Sequence, residues 1–450
     1  MSAMARYFNA LGKSTAGYDL TRTSLTDKLI AEGIDISFND DEKVIPPPFL
    51  DENSRESVLV VYTPAIPSKN KIFRFFRNNG YKVIKRSELL GILVNEGKGI
   101  AVAGTHGKTS VSTLIAHMLS QSGFKCNAFL GGVSKNHNSN LILSDDAELI
   151  VVEADEYDRS FLQLFPSTAV ITSMDPDHLD IYGSYDFMKV AFMEFLQQVK
   201  PGGTVIYRYG LGVDRGLKRD VASFSYGLDN RADFFAGNIR IPCDGLPVFD
   251  LFAPDLEYEN LKLGVPGRFN VENAVAAVAV ALFSGMKEKG IREGLENFSG
   301  IYRRFEIKIN TPECVFIDDY AHHPAELRAS IAAVRETFPG RRITGIFQPH
   351  LYTRTRDFAG EFADSLEELD DLILLEIYPA REEPLPGVSS ELIYSKMNMK
   401  NKILCTREGL LSIIAGKKNT DVLITLGAGN IDVMVEPIRQ LLLTKIKQGL

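Results

Sequence analysis

At 450 residues the chain is too long for one ordinary domain, and its length points to about three. A 45% hydrophobic and 24% charged composition is the ordinary mix of globular protein, and the net charge of −8 argues against a protein that coats a nucleic-acid duplex with a basic face. The four cysteines (Cys126, Cys243, Cys314, Cys405) form no Cys-x-x-Cys pair, and the longest apolar run, Ala274 to Phe283, is too short to span a bilayer; the expected class is a cytoplasmic, multidomain protein.

Short β-branched runs alternate with helix-length segments along the chain, the pattern of βαβ units and parallel sheets. The first hundred residues open on a helix-like stretch, Met1 to Leu11, and a strand-like one, Ser14 to Asp19. Further strands are expected at Val58–Tyr62 and Lys82–Ile84, and the Gly-bearing stretch Asn95 to Gly99 reads as a linker. Strands at Ile100–Ala103, Leu149–Val152, Ala169–Thr172 and Thr204–Tyr207 follow, then a polar, turn-rich region from Asp214 to Leu261 with short strands. An Ala/Val-rich helix from about Asn270 to Phe283 is apolar on most faces and should be buried. Beyond Gly300, strands read at Cys314–Ile317, Ile343–Phe347, Leu372–Ile377 and Val422–Leu426. The fold class is therefore α/β in three domains, about 1–97, 98–302 and 303–450.

The most informative stretch is an apolar strand running into Gly104-Thr-His-Gly-Lys-Thr109 and then into an amphipathic helix, with Gly-Lys-Thr at the helix start. Glycines let backbone N–H groups curl around phosphate oxygens, and a helix N-terminus adds a favourable dipole. Lys108 would neutralise phosphate, and the Thr109 hydroxyl would ligate Mg²⁺. The full Walker spacing needs a glycine where Val102 stands, so this is a shortened variant. Glu153 falls just past a buried strand, a position suited to Mg²⁺, while Asp155, Glu156 and Asp158 read equally well as a solvated acidic turn. His178 lies in the loop after another strand, with Asp177 and Asp180 beside it to orient the ring. His117 and His137 fall outside such strand-end loops and read as structural. In the last domain Asp318-Asp-Tyr-Ala-His-His-Pro324 and His350, Arg354 and Arg356 again end strands, where α/β sheets bind ligands. Arginine there could clamp a carboxylate or phosphate, and the Arg303-Arg304 pair could reach ATP. Thr425-Leu-Gly-Ala-Gly-Asn-Ile431 is a strand-to-glycine turn that could bind an anion.

Taken together, Gly104-Thr-His-Gly-Lys-Thr109, Glu153-Ala-Asp-Glu156, Asp177-His178, Gly267-Arg-Phe-Asn270 with Asn273, Arg303-Arg-Phe305, Asp318 to Pro324 and Gln348-Pro-His350 resemble, in order, the Mur ligases of peptidoglycan synthesis. The resemblance covers nearly the whole chain. It implies a Rossmann-like UDP-sugar domain, a central ATPase domain with a parallel-rich sheet, and a C-terminal Rossmann-like domain that closes on the amino-acid site. It implies ATP and Mg²⁺ as cofactors, with UDP-N-acetylmuramate and L-alanine as substrates. Carried over by position, Gly104, Thr105, His106, Gly107, Lys108, Thr109 and Ser110 would hold the phosphates, and Thr109, Glu153 and His178 the metal. Asn273 would meet adenine, Arg304 and Asp319 would reach ATP, His350 and Arg354 would contact substrate near the alanine end, and His106 would lie by the reacting carboxylate. Two departures stand out: Phe269 where the family often has His, so that adenine stacking would use a phenyl ring, and Leu351 where many members have Arg. In that family a Met-Ser-Ala segment directly follows a Gly-rich loop. The expectation is that Met1 is an internal methionine used as a start and that the first domain lacks its first strand and Gly-rich loop.

The implied chemistry is attack of a carboxylate on the γ-phosphoryl group, with charge offset by Mg²⁺ and Lys108, then capture of the acyl phosphate by an amine. The rival readings are the murein-tripeptide recycling ligase, the more distant folylpolyglutamate synthetase, and a non-catalytic nucleotide-sugar sensor. Intact Lys108, Thr109, Glu153 and His178 argue against the last.

Overall fold

The structure is a computed structural model that describes residues 1–177, 179–213, 216–380, 382–417 and 420–448. Its strands, numbered along the chain, begin with β1 (Ala16–Tyr18), β2 (Asp35–Ser37), β3 (Leu59–Tyr62), β4 (Lys82–Lys85), β5 (Lys98–Ala103), β6 (Cys126–Ser134) and β7 (Ser139–Ile142). Then come β8 (Leu149–Glu153), β9 (Thr168–Ile171), β10 (Thr204–Arg208), β11 (Ala222–Gly227), β12 (Phe234–Arg240), β13 (Val248–Ala253) and β14 (Leu256–Lys262). The last six are β15 (Glu306–Asn310), β16 (Val315–Asp319), β17 (Ile343–Phe347), β18 (Asp371–Leu375), β19 (Lys402–Cys405) and β20 (Val422–Leu426). No helix among the described residues is long and apolar enough to cross a membrane.

The chain folds into two compact units, one of Met1–Gly237, Leu251–Tyr258 and Asn273–Leu295, the other of Asn238–Asp250, Glu259–Glu272 and Glu296–Leu450. In the first, β1 pairs with β2 and β3 with β4, each as a separate two-stranded parallel sheet. Neighbouring strands of the larger sheet run β11-β10-β9-β5-β8-β6-β7, parallel throughout except for β7 at the edge. A parallel strand covered on both faces is a near-continuous apolar run, and Ile100, Ala101, Val102 and Ala103 of β5 are all buried. Beside β5, β9 and β10 a core of Phe161, Phe192 and Phe195 packs on Ala101, Ala103, Ile171 and Val205, with the Phe161 and Phe195 rings stacked at 5.1 Å.

The second unit holds a six-stranded sheet, order β15-β16-β20-β17-β18-β19, antiparallel only at the β15–β16 edge. Strand alternation sorts its side chains into two cores. Val315, Ile317, Ile343, Phe347, Leu372, Leu374, Val422 and Ile424 pack with Leu327, Ile331 and Phe362 from the helices Pro324–Thr337 and Ala359–Leu366. Phe316, Ile346, Ile373, Leu375 and Leu423 pack with Leu410, Ile414, Ile438 and Leu442 from Leu410–Gly416 and Asp432–Lys447. Helices on both faces make this a doubly wound sheet.

The expected strands are present, with ends shifted by a residue or two. Two readings change. Asn95 to Gly99 is not a linker: the helix Arg86–Glu96 runs to within two residues of β5, so one turn carries the chain straight into the sheet. The strands β2, β6, β7, β15 and β19 have no counterpart among the expected elements.

Candidate active site

The phosphate loop joins β5 to the helix Lys108–Gln121, whose first residue is capped by Gly107 in a left-handed conformation (φ 82°). Gly104, at φ 133°, is fixed as glycine by a close approach: a Cβ there would sit 2.7 Å from the Ser173 nitrogen and 2.9 Å from its carbonyl oxygen. The segment after β9 braces the loop from that side. Thr105 N–H donates to the Ser173 carbonyl (3.3 Å), His106 N–H to Ser173 Oγ (2.7 Å), and Asp175 N–H to Thr105 Oγ1 (3.0 Å). Thr172 Oγ1 donates to the His106 carbonyl. The His106 ring stands 3.7 Å from the Asp175 carboxylate. Asn273 also lies here, its amide oxygen 3.1 Å from where a Gly107 Cβ would be, and Ser110 is half-buried in the first helical turn.

Thr109 Oγ1 donates to Glu153 Oε2 at 2.8 Å, so a hydroxyl and a carboxylate meet at the mouth of the loop. Glu153 lies flat along β6, where a Cβ on Gly131 would come within 2.6 Å of its carboxyl carbon. Lys108 Nζ donates to the Gly104 carbonyl (2.6 Å), the Thr105 carbonyl (3.4 Å) and Glu156 Oε1 (2.8 Å). Burial works against charge on both partners, lowering the lysine and raising Glu156. For Lys108 the nearby Glu156, Glu153 and Asp155 outweigh burial, so its pKa lies above the ordinary value and the ammonium keeps its charge.

The solvated-turn reading of the acidic run fails for Glu156, while Asp155 and Asp158 stay half-exposed but ion-paired. Glu156 is buried on Lys108, Asp155 faces Arg86 at 3.6 Å, and Asp158 faces Lys85 at 2.9 Å. Thr109 and Glu153 are thus brought together as expected for a metal pair, while His178, the third expected ligand, lies outside the described residues. Among the described residues no three His, Cys, Asp or Glu side chains gather as a metal cluster.

In the second unit the C-terminal ends of β16, β17 and β20 carry most of the other expected residues, while Arg303 and Arg304 lie just before β15. Arg303 is a structural clamp: it donates to the Gly427 carbonyl (2.7 Å) and pairs with Asp318 (3.5 Å) and Asp432 (3.6 Å). Arg304 is the more available of the pair, lying 4.8 Å over the Tyr320 ring and 4.0 Å from Glu326. Asp319 is buried and accepts a hydrogen bond from Ser330 Oγ (2.6 Å); burial pushes its carboxyl up to about 6. His322 Nδ1 faces two acceptors, the Tyr320 carbonyl at 3.0 Å and Glu326 at 3.3 Å, so that nitrogen carries the proton. Burial pushes its pKa down to about 3, keeping the ring neutral.

The His350 ring stacks on Tyr378 (5.7 Å, 28°) and stands edge-on to His322 at 5.9 Å. The backbone locks this pair, with Leu351 N–H donating to the Tyr378 carbonyl (3.0 Å) and Tyr378 N–H to that of Pro349 (2.8 Å). Leu351 itself has φ 71°, an unusual conformation for a branched residue, and caps the helix Tyr352–Asp357 in which Arg354 is buried. Phe269, expected against adenine, packs edge-on to Phe305 at 5.9 Å. Among residues not singled out from sequence, Ser173, Asp175, Glu326 and Tyr378 all contact expected ones. Ser173, Asp175 and Tyr378 share the strand-end position that marked the others.

A parallel α/β sheet whose central strand ends in a glycine loop at a helix N-terminus, with lysine, threonine and a strand-end carboxylate converging, defines a nucleotide-phosphate-binding protein of the phosphate-loop class. Within that class the chain belongs to the Mur ligase family. The family's catalytic domain matches residues 1–98, its middle domain residues 102–281, and its glutamate ligase domain residues 303–429. The chain is 49% identical over 448 residues to the UDP-N-acetylmuramate–L-alanine ligase of Parabacteroides distasonis, covering 100% of this chain and 96% of that one. It is 50% identical over 445 residues to the enzyme of the same name from Porphyromonas gingivalis strain W83, covering 99% and 97%. Its fold matches the crystal structure of the UDP-N-acetylmuramate–alanine ligase of Thermotoga maritima with a TM-score of 0.83 at 25% identity, over 99% of this chain and 97% of that one. A murein peptide ligase from Psychrobacter arcticus shares the fold at a TM-score of 0.69 and 22% identity, over 99% and 96%.

Proposed function

We propose that the chain joins L-alanine to the lactyl carboxylate of UDP-N-acetylmuramate at the expense of ATP, through an acyl phosphate. The observation that carries this reading is the meeting of Lys108, Thr109 and Glu153 at the start of one helix, in a chain about half identical, end to end, to ligases of that name. Residues 1–97, 98–302 and 303–450 are proposed to serve the UDP-sugar, ATP and the amino acid in turn, in the cytoplasm.

Lys108 would take charge from the β- and γ-phosphates. Backbone N–H groups of the loop and of Ser110 would cradle them, as expected of a helix N-terminus. Asn273 would meet the base, and Arg304 and Asp319 would add contacts to the nucleotide. The Thr109 hydroxyl and Glu153 carboxylate are hard oxygen donors 2.8 Å apart, which fits Mg²⁺, an ion that uses one or two carboxylates and completes its shell with water and phosphate. His178 is proposed as a further ligand. Bound there, Mg²⁺ would offset charge on the transferring phosphoryl group.

The lactyl carboxylate oxygen attacks the γ-phosphorus and ADP leaves. His106, held by Ser173 and near Asp175, would lie beside that carboxylate. The alanine amine then attacks the acyl carbon, and phosphate leaves with the carboxylate oxygen. His350 and Arg354 would orient alanine, Arg354 through its carboxylate. Neutral His322 beside His350 avoids setting a second positive charge against the incoming amine.

The test is phosphate release from ATP and Mg²⁺ with UDP-N-acetylmuramate and single amino acids. Release should require both the sugar nucleotide and a small amino acid, L-alanine best. If a γ-glutamyl tripeptide is joined and L-alanine is not, the chain is the recycling ligase; no release with any acceptor would leave a nucleotide-sugar sensor.

A further inference from the structure

An ammonium has three hydrogens to donate, and those of Lys108 face two carbonyl oxygens of its own loop and Glu156. A phosphate drawn into the loop must therefore displace at least one of these partners. The Glu156 partner does not travel with the lysine, because its turn is pinned from all sides. Tyr182 Oη donates to the Glu156 carbonyl (2.5 Å), Tyr157 N–H to Asp155 Oδ1 (3.1 Å), and Phe161 N–H to the Asp155 carbonyl (2.9 Å). Two non-glycine residues, Asp158 and Arg159, hold φ of 52° and 53° there, and such conformations persist only where the surroundings over-determine them. Those surroundings include Lys85 on Asp158 and Arg86 on Asp155, from the end of β4 and the helix that follows it.

We propose that Glu156 is a positioning residue that competes with nucleotide phosphate for Lys108, holding the ammonium back on its own loop until phosphate takes it. This rests on the reading of Lys108 as the phosphate ligand. Glu156 is only 1% exposed, so neither water nor salt weakens its hold, and each nucleotide that binds must overcome it. The same turn carries Glu153, which bonds Thr109, and the carboxylates paired with Lys85 and Arg86. One rigid segment therefore ties both functional side chains of the phosphate loop to the end of the proposed sugar-nucleotide domain.

The experiment is calorimetric titration of ADP into the full chain, wild type against Glu156→Gln, with thermal melting of the unliganded proteins alongside. The neutral amide can still accept from Lys108 but offers no charge. Glu156→Gln should bind ADP about tenfold more tightly, the equivalent of one charged hydrogen bond released from competition, while its unliganded melting temperature falls. Glu156→Asp, which keeps the charge, should stay within about twofold of wild type. Should Gln not fold, Glu156→Met, neutral and of similar length, carries the same expectation. Weaker ADP binding in the neutral variant would place Glu156 among the groups that hold the nucleotide and overturn the proposal. Unchanged affinity would overturn it too, whatever the melting temperature does. Failure of the wild-type chain to bind ADP would instead count against the phosphate-loop reading.

Discussion

Replacing Gly104 by alanine should damage both folding and nucleotide binding. The new Cβ would meet Thr172 Oγ1 and lie 2.7 and 2.9 Å from the backbone nitrogen and oxygen of Ser173. Two of these three atoms are backbone, so no side-chain rotation clears the space. The φ of 133° adds a conformation open almost only to glycine, costing about 1–3 kcal/mol. Overpacking against a close backbone costs about as much again, for a total of about 2–6 kcal/mol out of a typical 5–15. Relief comes only if the Thr172 to Asp175 segment retreats, which breaks the bonds from Thr105 and His106 to Ser173 and unshapes the loop. Urea unfolding followed by circular dichroism should show a lower midpoint at unchanged slope, and ADP affinity should fall by at least about tenfold, one lost charged hydrogen bond. A variant with wild-type midpoint and wild-type ADP binding would refute the close approach on which this reasoning depends.

Lys108→Ala should abolish phosphate release, but it also strands the buried Glu156 carboxylate, at a cost of about 3–5 kcal/mol; in Lys108→Ala/Glu156→Gln the stability should return while activity stays absent, which melting and turnover assays separate. His117 is buried with its pKa lowered to about 4 by burial, so its neutral form contributes stability that is complete above about pH 6.5 and lost as pH falls toward 4, about 3 kcal/mol in all. In His117→Gln the loss of stability over that range, read from unfolding midpoints, should shrink by that amount. Asp319 has the opposite sign: burial raises its carboxyl to about 6, so folding is penalised above pH 6 and the penalty disappears below about pH 4. Asp319→Asn should therefore be up to about 3 kcal/mol more stable at pH 8 and no more stable at pH 4, while losing nucleotide affinity if Asp319 serves ATP.

Much of the fold can be read from the chain because buried parallel strands form near-continuous apolar runs, with Thr344 and Thr425 as buried polar exceptions. Ile343–Phe347 and Val422–Leu426 stand out as such runs and coincide with β17 and β20. The strands that escape reading lack that signature. The β6 strand carries Gly131 and Gly132 in its interior, while β15 and β19 lie at sheet edges with exposed or half-buried positions, Lys402 to Cys405 having none that is buried. The phosphate loop is equally plain, since its residues are consecutive and its work is done by local backbone. Glu156 and Ser173 are different. Their partners Lys108 and His106 are 48 and 67 residues away in sequence, and only the order β9-β5-β8 brings them side by side. Nor could the sequence separate Arg303 from Arg304: they are neighbours of one type, and it is the carbonyl of Gly427, 124 residues on, that ties one down. The acidic turn misleads for a related reason, because each of its carboxylates finds a cation that composition alone cannot assign.

The most direct test of an acyl-phosphate ligase is to follow the carboxylate oxygen. UDP-N-acetylmuramate labelled with ¹⁸O in its lactyl carboxylate would be incubated with the chain, ATP, Mg²⁺ and L-alanine, and both products weighed by mass spectrometry. If the carboxylate attacks the γ-phosphorus and the amine then displaces phosphate, each alanine joined must send one ¹⁸O into the released phosphate. Alanylated product appearing with unlabelled phosphate, or phosphate released with no alanylated product, would contradict the reaction proposed for Lys108, Thr109 and Glu153.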